Sequence, residues 1–462
     1  MTRETSKGGT PAPSRPDALQ RRVVAEWGTI PAHWQVLRGS RITKIHQSFT
    51  PDDGDFDDEG SSWYTVDDLN GVDSTLQVFE SHRRVLGQSG QLVEPPVVLF
   101  PKRGAAIATN KVAIAMHSCL FDSNVMGLTP SACLLPSYLA YLLISRGLWD
   151  LADRSTIPQI NNKHINPIYF PIPPPEEQER IVKTIIARTR AIDDLITRKQ
   201  RLIELLDEKH AALISRAVTQ GLDPSVPMKD SGVRWLGPVP ARWRVTRLKF
   251  TLANIEQGWS PQCDSRPAEL EEWGVLKVGC VNGGTFEQSE NKSLPPDLEA
   301  DDRLEIRPGD VLISRANTRE LVGSAALVVS VRPKLLLCDK LYRARAGKAI
   351  APQFVALLLQ CGHVRYQIER EATGASGSMQ NVGQDTIRNI RCAIPEVQEQ
   401  LEIARWASQQ SDTFKRATSE LQESIGLLRE YRSALINAAV TGQLGNSTSA
   451  STKRKWRPWS DG

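Results

Sequence analysis

Two long stretches of the chain carry apolar residues at helical spacing. In the first, Ile181, Ile185, Ile192, Leu195, Leu202, Leu206 and Leu213 recur at steps of three, four or seven, interrupted by Arg188, Lys199 and Lys209. In the second, Ile403, Ala407, Phe414, Ala417, Leu421, Leu428, Tyr431 and Leu435 keep the same phase, weakened by Gln410 and Ser424. Narrow stripes of this kind predict amphipathic helices with coiled-coil seams. Proline introduces each stretch, as Pro173-Pro174-Pro175 and as Pro395, and glutamates follow. Proline holds the preceding chain extended, and glutamate suits the positive end of a helix. Each helix is expected to run about 40 residues, or about 60 Å at 1.5 Å per residue. Two seams in phase favour pairing with each other, although the periodicity also allows each helix to pack on its own domain.

Ahead of each helix the pattern changes. Short β-like runs such as Val97-Val98-Leu99-Phe100 and Val311-Leu312-Ile313 lie between turn residues, and helical patterns occur near Tyr138–Leu151 and Pro352–Glu369. These runs predict two mixed α/β domains of about 150 residues each. The chain also repeats itself. Trp27–Arg38 matches Leu236–Arg247 at six of twelve positions, including Pro31-Ala32 and Trp34 against Pro240-Ala241 and Trp243. Ile203–Leu222 matches Ile425–Leu444 at eleven of twenty. A period near 210 residues is too long for a solenoid and indicates duplication of a domain with its helix, with pseudo-two-fold symmetry as the expected arrangement. The two halves span about 26–222 and 235–444. The intervening domains agree far less than the segments that flank them.

The full division expected is a disordered tail over 1–22, a first domain over 23–170, a helix over 171–222, a linker over 223–234, a second domain over 235–392, a helix over 393–444 and a disordered basic tail over 445–462. The fold class is α/β, of the α+β kind. At 462 residues the chain exceeds a single typical core.

Composition removes whole classes of function. A balance of 57 basic to 53 acidic residues gives no bulk attraction to polyanions. No run approaches 18 apolar residues, so no membrane association is expected and the chain is assigned to the cytoplasm. Seven scattered cysteines, never spaced C-x-x-C, fit buried free thiols better than disulfides or zinc. There is no phosphate-binding loop, H-E-x-x-H or G-x-S-x-G motif. The acidic run Asp52–Glu59 lacks the glycine and the final glutamate of a calcium loop, and Asp297–Arg307 only loosely imitates a nuclease site. A non-catalytic chain without a metal of its own is expected.

The motifs Ile30-Pro31-Ala32-His33-Trp34 and Val239-Pro240-Ala241-Arg242-Trp243, the segment Pro173–Gln178 with its helix, the ending Ala217-Val218-Thr219-Gln220-Gly221-Leu222 and Asp310–Arg315 together resemble specificity subunits of type I restriction–modification systems. The resemblance runs from about Trp27 to Leu444. It implies two target-recognition domains, each reading one half of a split double-stranded DNA site, and an antiparallel coiled coil of the two helices that sets the spacer. It further implies two methyltransferase subunits and translocating restriction subunits as partners. S-adenosylmethionine, ATP and magnesium would belong to those partners, with no cofactor on this chain. A specificity subunit of a modification-only or other phage-defence system, or a two-headed protein-binding adaptor, remains an alternative.

Candidate DNA contacts combine cations or amides with polar neighbours, because arginine suits guanine and asparagine suits adenine in the major groove. In the first domain these are Lys102, Arg103, Thr109, Asn110 and Lys111, with Gln159, Asn161, Asn162 and Lys163 just before the helix. In the second they are Arg315, Asn317, Thr318 and Arg319, with Ser376, Ser378, Gln380 and Asn381. Each also fits an ordinary strand-end charge or turn. Arg103 and Arg315 follow the two β runs and are expected to match.

Overall fold

The computed structural model describes residues 18–86, 92–153, 156–376 and 379–444. The chain forms two compact units. The first holds the residues up to Gln200 together with those from Gln422 onward, and the second holds Arg201–Leu421.

In the first unit a five-stranded sheet runs in the order Thr43–His46, Val125–Pro130, Val97–Pro101, Ala113–Ala115, Gln77–Val78. Val97–Pro101 is buried throughout because both faces of the sheet are covered. Alternation divides its side chains: Val98 and Phe100 join the core under the helix Pro136–Arg146, whereas Val97 and Leu99 pack with Tyr64 and Phe121 on the other face. The helix starts with proline at its first turn, where a missing N–H costs nothing.

The second unit repeats the plan. Its four-stranded sheet has the order Leu252–Gln257, Leu341–Ala346, Val311–Ser314, Ala325–Leu327. Val311 and Ile313 face the core under the helix Pro352–Gln360, and Leu312 faces a second cluster with Leu335 and Leu336.

Each domain is closed by one antiparallel pair of strands. Gln35–Arg38 pairs with Tyr169–Ile172, and Arg244–Arg247 pairs with Arg391–Ile394, so the first strand of the domain meets the last one before the long helix. A fully buried glutamine then fixes the start of each helix. Gln178 donates to the carbonyls of Cys133 and Pro173 and accepts from the Leu135 N–H at 2.8 Å. Gln400 repeats this with Ala349, Pro395 and Ala351.

The long helices are Pro175–Gln220 and Val397–Val440, somewhat shorter than the segments 171–222 and 393–444. Each is divided between the units, at Gln200 and at Leu421. The structural units are therefore not the sequence repeats. Ala217 and Val218 pack in the core of the second domain beside Val239 and Trp243, while Ala439 and Val440 pack in the core of the first beside Trp27 and Phe170. Gly221 and Gly442 end the helices at φ of +80° and +75°, in the left-handed region open to glycine. A Cβ on Gly221 would stand 3.4 Å from the Trp243 ring, and one on Gly442 would collide with Pro31.

Several expectations need correction. The tail over 1–22 is helical from Ala18, within the helix Ala18–Trp27. Trp27 anchors that helix by donating to the Tyr169 carbonyl at 2.7 Å. The linker contains a strand, Met228–Asp230, paired with Pro238–Pro240. Residues 1–17 and the basic tail from 445 lie outside the described residues.

The helix seam also differs. Ile185 and Ile192 are buried, Ile181, Leu206 and Leu213 are half-buried, but Leu195 and Leu202 are exposed by 43% and 45%. The inward stripe runs through Thr189, Ile196, Lys199, Ile203 and His210, an unbroken alternation of three and four that admits polar residues. The expected seam takes Leu195 and Leu202, one position before Ile196 and Ile203, which are equally apolar and lie on the inward side. In the partner stretch Ile403 and Leu435 are buried and Phe414, Leu421 and Leu428 half-buried, whereas Tyr431 is exposed. Arg432 turns inward instead and pairs with Asp193 at 2.7 Å within the first unit.

Within the second unit His210 bonds the Ser411 hydroxyl at 2.9 Å and stacks at 5.0 Å from Phe414. Burial lowers its pKa, Asp207 opposes this and Lys415 adds to it. A histidine whose folded pKa is depressed binds its proton more readily when unfolded, so its contribution to stability falls as pH drops below about 6.5. Thermal melts of the wild type are expected to decline over that window more steeply than those of His210→Gln; equal slopes would remove His210 as the cause.

Candidate nucleic-acid interface

In each domain the fold brings together the two polar groups that lie far apart in sequence. The chain leaves the central strand at Pro101 or Ser314, where the paired strand supplies Val125 or Leu341. The next residue, Lys102 or Arg315, takes the same backbone place in both: its N–H donates to Asn124 or Lys340, and its carbonyl accepts from Ile160 or Val382. The residues before the long helix are thereby laid alongside. Arg103 bridges to Gln159, while Ala316 and Asn317 pair with Asn381 and Gln380.

This register corrects the expected match. The counterpart of Arg315 is Lys102, and Arg103 corresponds to Ala316. Counting from the apolar run misplaced it by one, because Pro101 belongs to the strand.

The electrostatics of the first cluster suit an anion or a base acceptor. Burial lowers the Lys102 pKa, Arg103 beside it adds to this, and Asp122 partly offsets it. Lys163 lies 3.7 Å from Asp153 and is otherwise exposed. Asn161 caps the short helix Asn162–Ile165, its N–H donating to His164 Nδ1 at 3.0 Å, and Asn162 is exposed on the first turn.

In the second cluster Arg315 donates to the Asp339 carbonyl at 3.3 Å, and Gln257 donates to the same carbonyl at 3.1 Å. Asn317 accepts from the Thr318 N–H and donates to Asn282 at 3.3 Å. Thr318 otherwise serves the turn, its carbonyl accepting from Leu321 and Val322, and Arg319 is exposed beside it. Ser376 ends the strand Thr373–Ser376, and Ser378 lies outside the described residues.

Three candidates stand apart from these clusters. Asn110 ends a 3-10 turn at φ +52°, a conformation asparagine tolerates, and its amide is consumed by the Ile144 carbonyl and the Leu148 N–H. Thr109 caps Ala106 through its hydroxyl. Lys111 lines a cleft with Arg429 and Arg432 instead. Asn110 spends its amide tying this turn to the helices that follow, and Thr109 spends its hydroxyl within the turn.

Gln257 and Asn282 were not anticipated. A signal for Gln257 was present: Ile45-His46-Gln47-Ser48-Phe49-Thr50-Pro51 parallels Ile255-Glu256-Gln257-Gly258-Trp259-Ser260-Pro261. Both stretches run out of the sheet strand that pairs with Val125–Pro130 or Leu341–Ala346. His46, Gln47 and Phe49 line a cavity of about 430 Å³ with Lys44 and Glu94. No local pattern marked Asn282.

Among the described residues no group of three or more His, Cys, Asp or Glu could hold a metal ion, and no helix is long and apolar enough to cross a membrane. The acidic residues near 301–310 are occupied structurally: Asp301 pairs with Arg303, and Asp310 lies 3.6 Å from Arg343, whose side chain is fully buried, and 3.0 Å from Arg345.

Residues 31–205 match the type I restriction modification DNA specificity domain. The chain is 28% identical over 244 residues to the EcoEI type I restriction enzyme specificity subunit of Escherichia coli, a match covering 52% of this chain and 40% of that protein. It is 22% identical over 442 residues to the EcoKI specificity subunit of Escherichia coli K12, covering 90% of each. A chain from a solved type I restriction–modification system, studied for its assembly and conformational transition, shares the fold. It superimposes with a TM-score of 0.64 at 16% identity, over 90% of this chain and 99% of that one.

Proposed function

The chain is a relative of the type I restriction–modification specificity subunits, and we propose that it selects the DNA site for such an assembly. Each domain reads one half of a split target in double-stranded DNA. The two long helices set the spacer and dock two methyltransferase subunits, and restriction subunits join that core. The chain performs no chemistry; S-adenosylmethionine, ATP and magnesium are bound by its partners, and it works in the cytoplasm.

The observation that carries this reading is the duplicated strand-end cluster. Lys102 and Arg315, with Gln159 and Asn381 on the returning chain beside them, occupy equivalent backbone places in two domains whose remaining sequence has diverged. Cations and amides at such an edge suit phosphate positioning and base reading, and divergence around a shared frame suits two different half-sites.

The purified chain alone is expected to show no methyl transfer, DNA cleavage or ATP hydrolysis. Combined with its methyltransferase it should direct adenine methylation to a two-part motif, read by single-molecule methylome sequencing. Turnover by the chain alone, or methylation without a split motif, would overturn the proposal.

A further inference from the structure

The two recognition domains share one short segment that their divergence has spared. Ile45-His46-Gln47-Ser48-Phe49-Thr50-Pro51 and Ile255-Glu256-Gln257-Gly258-Trp259-Ser260-Pro261 agree in isoleucine, glutamine and proline, and each keeps an aromatic ring followed by a hydroxyl. The match stops there: none of the seven residues after Pro51 agrees with its counterpart after Pro261. The backbone agrees as well. The Phe49 N–H donates to the Phe121 carbonyl at 2.8 Å and the Trp259 N–H to the Leu337 carbonyl at 3.0 Å, each acceptor lying four residues before Val125 or Leu341, where the neighbouring strand begins.

Folding explains part of this likeness. Ile45 and Ile255 pack in the domain cores, Phe49 packs against Trp63, Val85 and Leu120, and proline holds the residue before it extended. It does not explain the polar pairs. Gln47 with Gln257 and Thr50 with Ser260 are exposed in both domains, and among the described residues the side chains of Gln47, Thr50 and Ser260 have no hydrogen-bond partner. The segment borders the strand-end cluster in each domain: Gln257 shares the Asp339 carbonyl with Arg315, and Phe121 precedes Asp122, whose charge acts on Lys102.

We propose that this segment grips the sugar–phosphate backbone of DNA, with the glutamine amide and the hydroxyl donating to phosphate oxygens, and that it reads no base. Two half-sites differ in their bases but share the backbone, so a polar pair kept in both domains fits the part of the ligand that both meet. Each of these side chains can donate to a phosphate oxygen, and neither carries a charge. This rests on the function proposed above and adds a role that Lys102 and Arg315 do not fill: a contact that is indifferent to sequence and releases no counterion.

The test uses the full chain with its methyltransferase, a duplex carrying the motif found by methylome sequencing, and duplexes with one base changed in either half. Gln47→Ala, Thr50→Val and Ser260→Ala are each expected to weaken binding of every duplex about ten-fold, as the loss of one hydrogen bond to a charged group does. Gln257 is left in place because its amide also holds the carbonyl that Arg315 uses. The ratio of affinities between duplexes, the methylated motif, the slope of log K against log salt and the thermal melt should all stay as in the wild type. A changed base in the motif would make the residue a reader, a shallower salt slope would mean that the loss came through a displaced cation, and binding unchanged by all three variants would mean no contact. Each of these results would overturn the grip and leave the function standing. A wild-type complex that methylates no two-part motif would overturn the function itself.

Discussion

Replacing Gln178 or Gln400 by leucine should destabilise the corresponding unit by about 2–5 kcal/mol, an effect large for a single side chain. Both glutamines are fully buried, and each satisfies two carbonyls and one N–H of chain segments that have no other partner for those groups nearby. Leucine fills the volume but leaves three polar groups facing an apolar side chain, at about 1–3 kcal/mol for each group that water cannot reach. Glutamate should fare little better, since it cannot donate to the two carbonyls. Thermal or urea unfolding of the two variants is the measurement. A loss below about 1 kcal/mol in both would mean that water replaces the amide and that the helix start is fixed by other contacts.

Arg315→Ala should weaken DNA binding by about 1–3 kcal/mol, lost only when one half of the target is intact and only for particular bases there. Lys102→Ala should act on the other half. A lysine presents a compact charge without arginine's planar fork, so its loss is expected to weaken all sequences alike and to reduce the salt dependence of binding by about one counterion. Exchange of types sharpens the comparison. Arg315→Lys should keep non-specific affinity and lose discrimination, whereas Arg103→Ala, which lies at the position of Ala316, should change discrimination less than either. Binding isotherms on DNA mutated in each half distinguish these cases, and unchanged binding in both Arg315→Ala and Lys102→Ala would remove the strand-end residues as readers. Asn110→Ala, by contrast, should lower stability without altering sequence preference, because its amide is spent on Ile144 and Leu148.

The sequence by itself determined the duplication, the two long helices and the two mixed α/β domains, because these rest on periodicity and on identity at a fixed offset, which survive without knowledge of neighbours. It also placed Lys102 and Arg315 after the apolar β runs and Gln159 and Gln380 just before the long helices. It could not determine which groups meet. Arg103 and Gln159 are 56 residues apart, and only the return of the chain alongside the central strand joins them. The seam phase went the same way: local hydrophobicity could not choose between Leu195 and Ile196 or between Leu202 and Ile203, and the continuous three-and-four stripe turned the isoleucines inward with Thr189, Lys199 and His210 and left the leucines in water. The last decision of tertiary structure was the pairing of helix ends with domains. The repeat places Ala217 and Val218 at the end of the first half, yet they pack in the core with Trp243 of the second, while Ala439 and Val440 pack in the core with Trp27. A helix of more than forty residues carries its end far from its start, so the apolar surface that end must cover is set by distance in space and not by order along the chain.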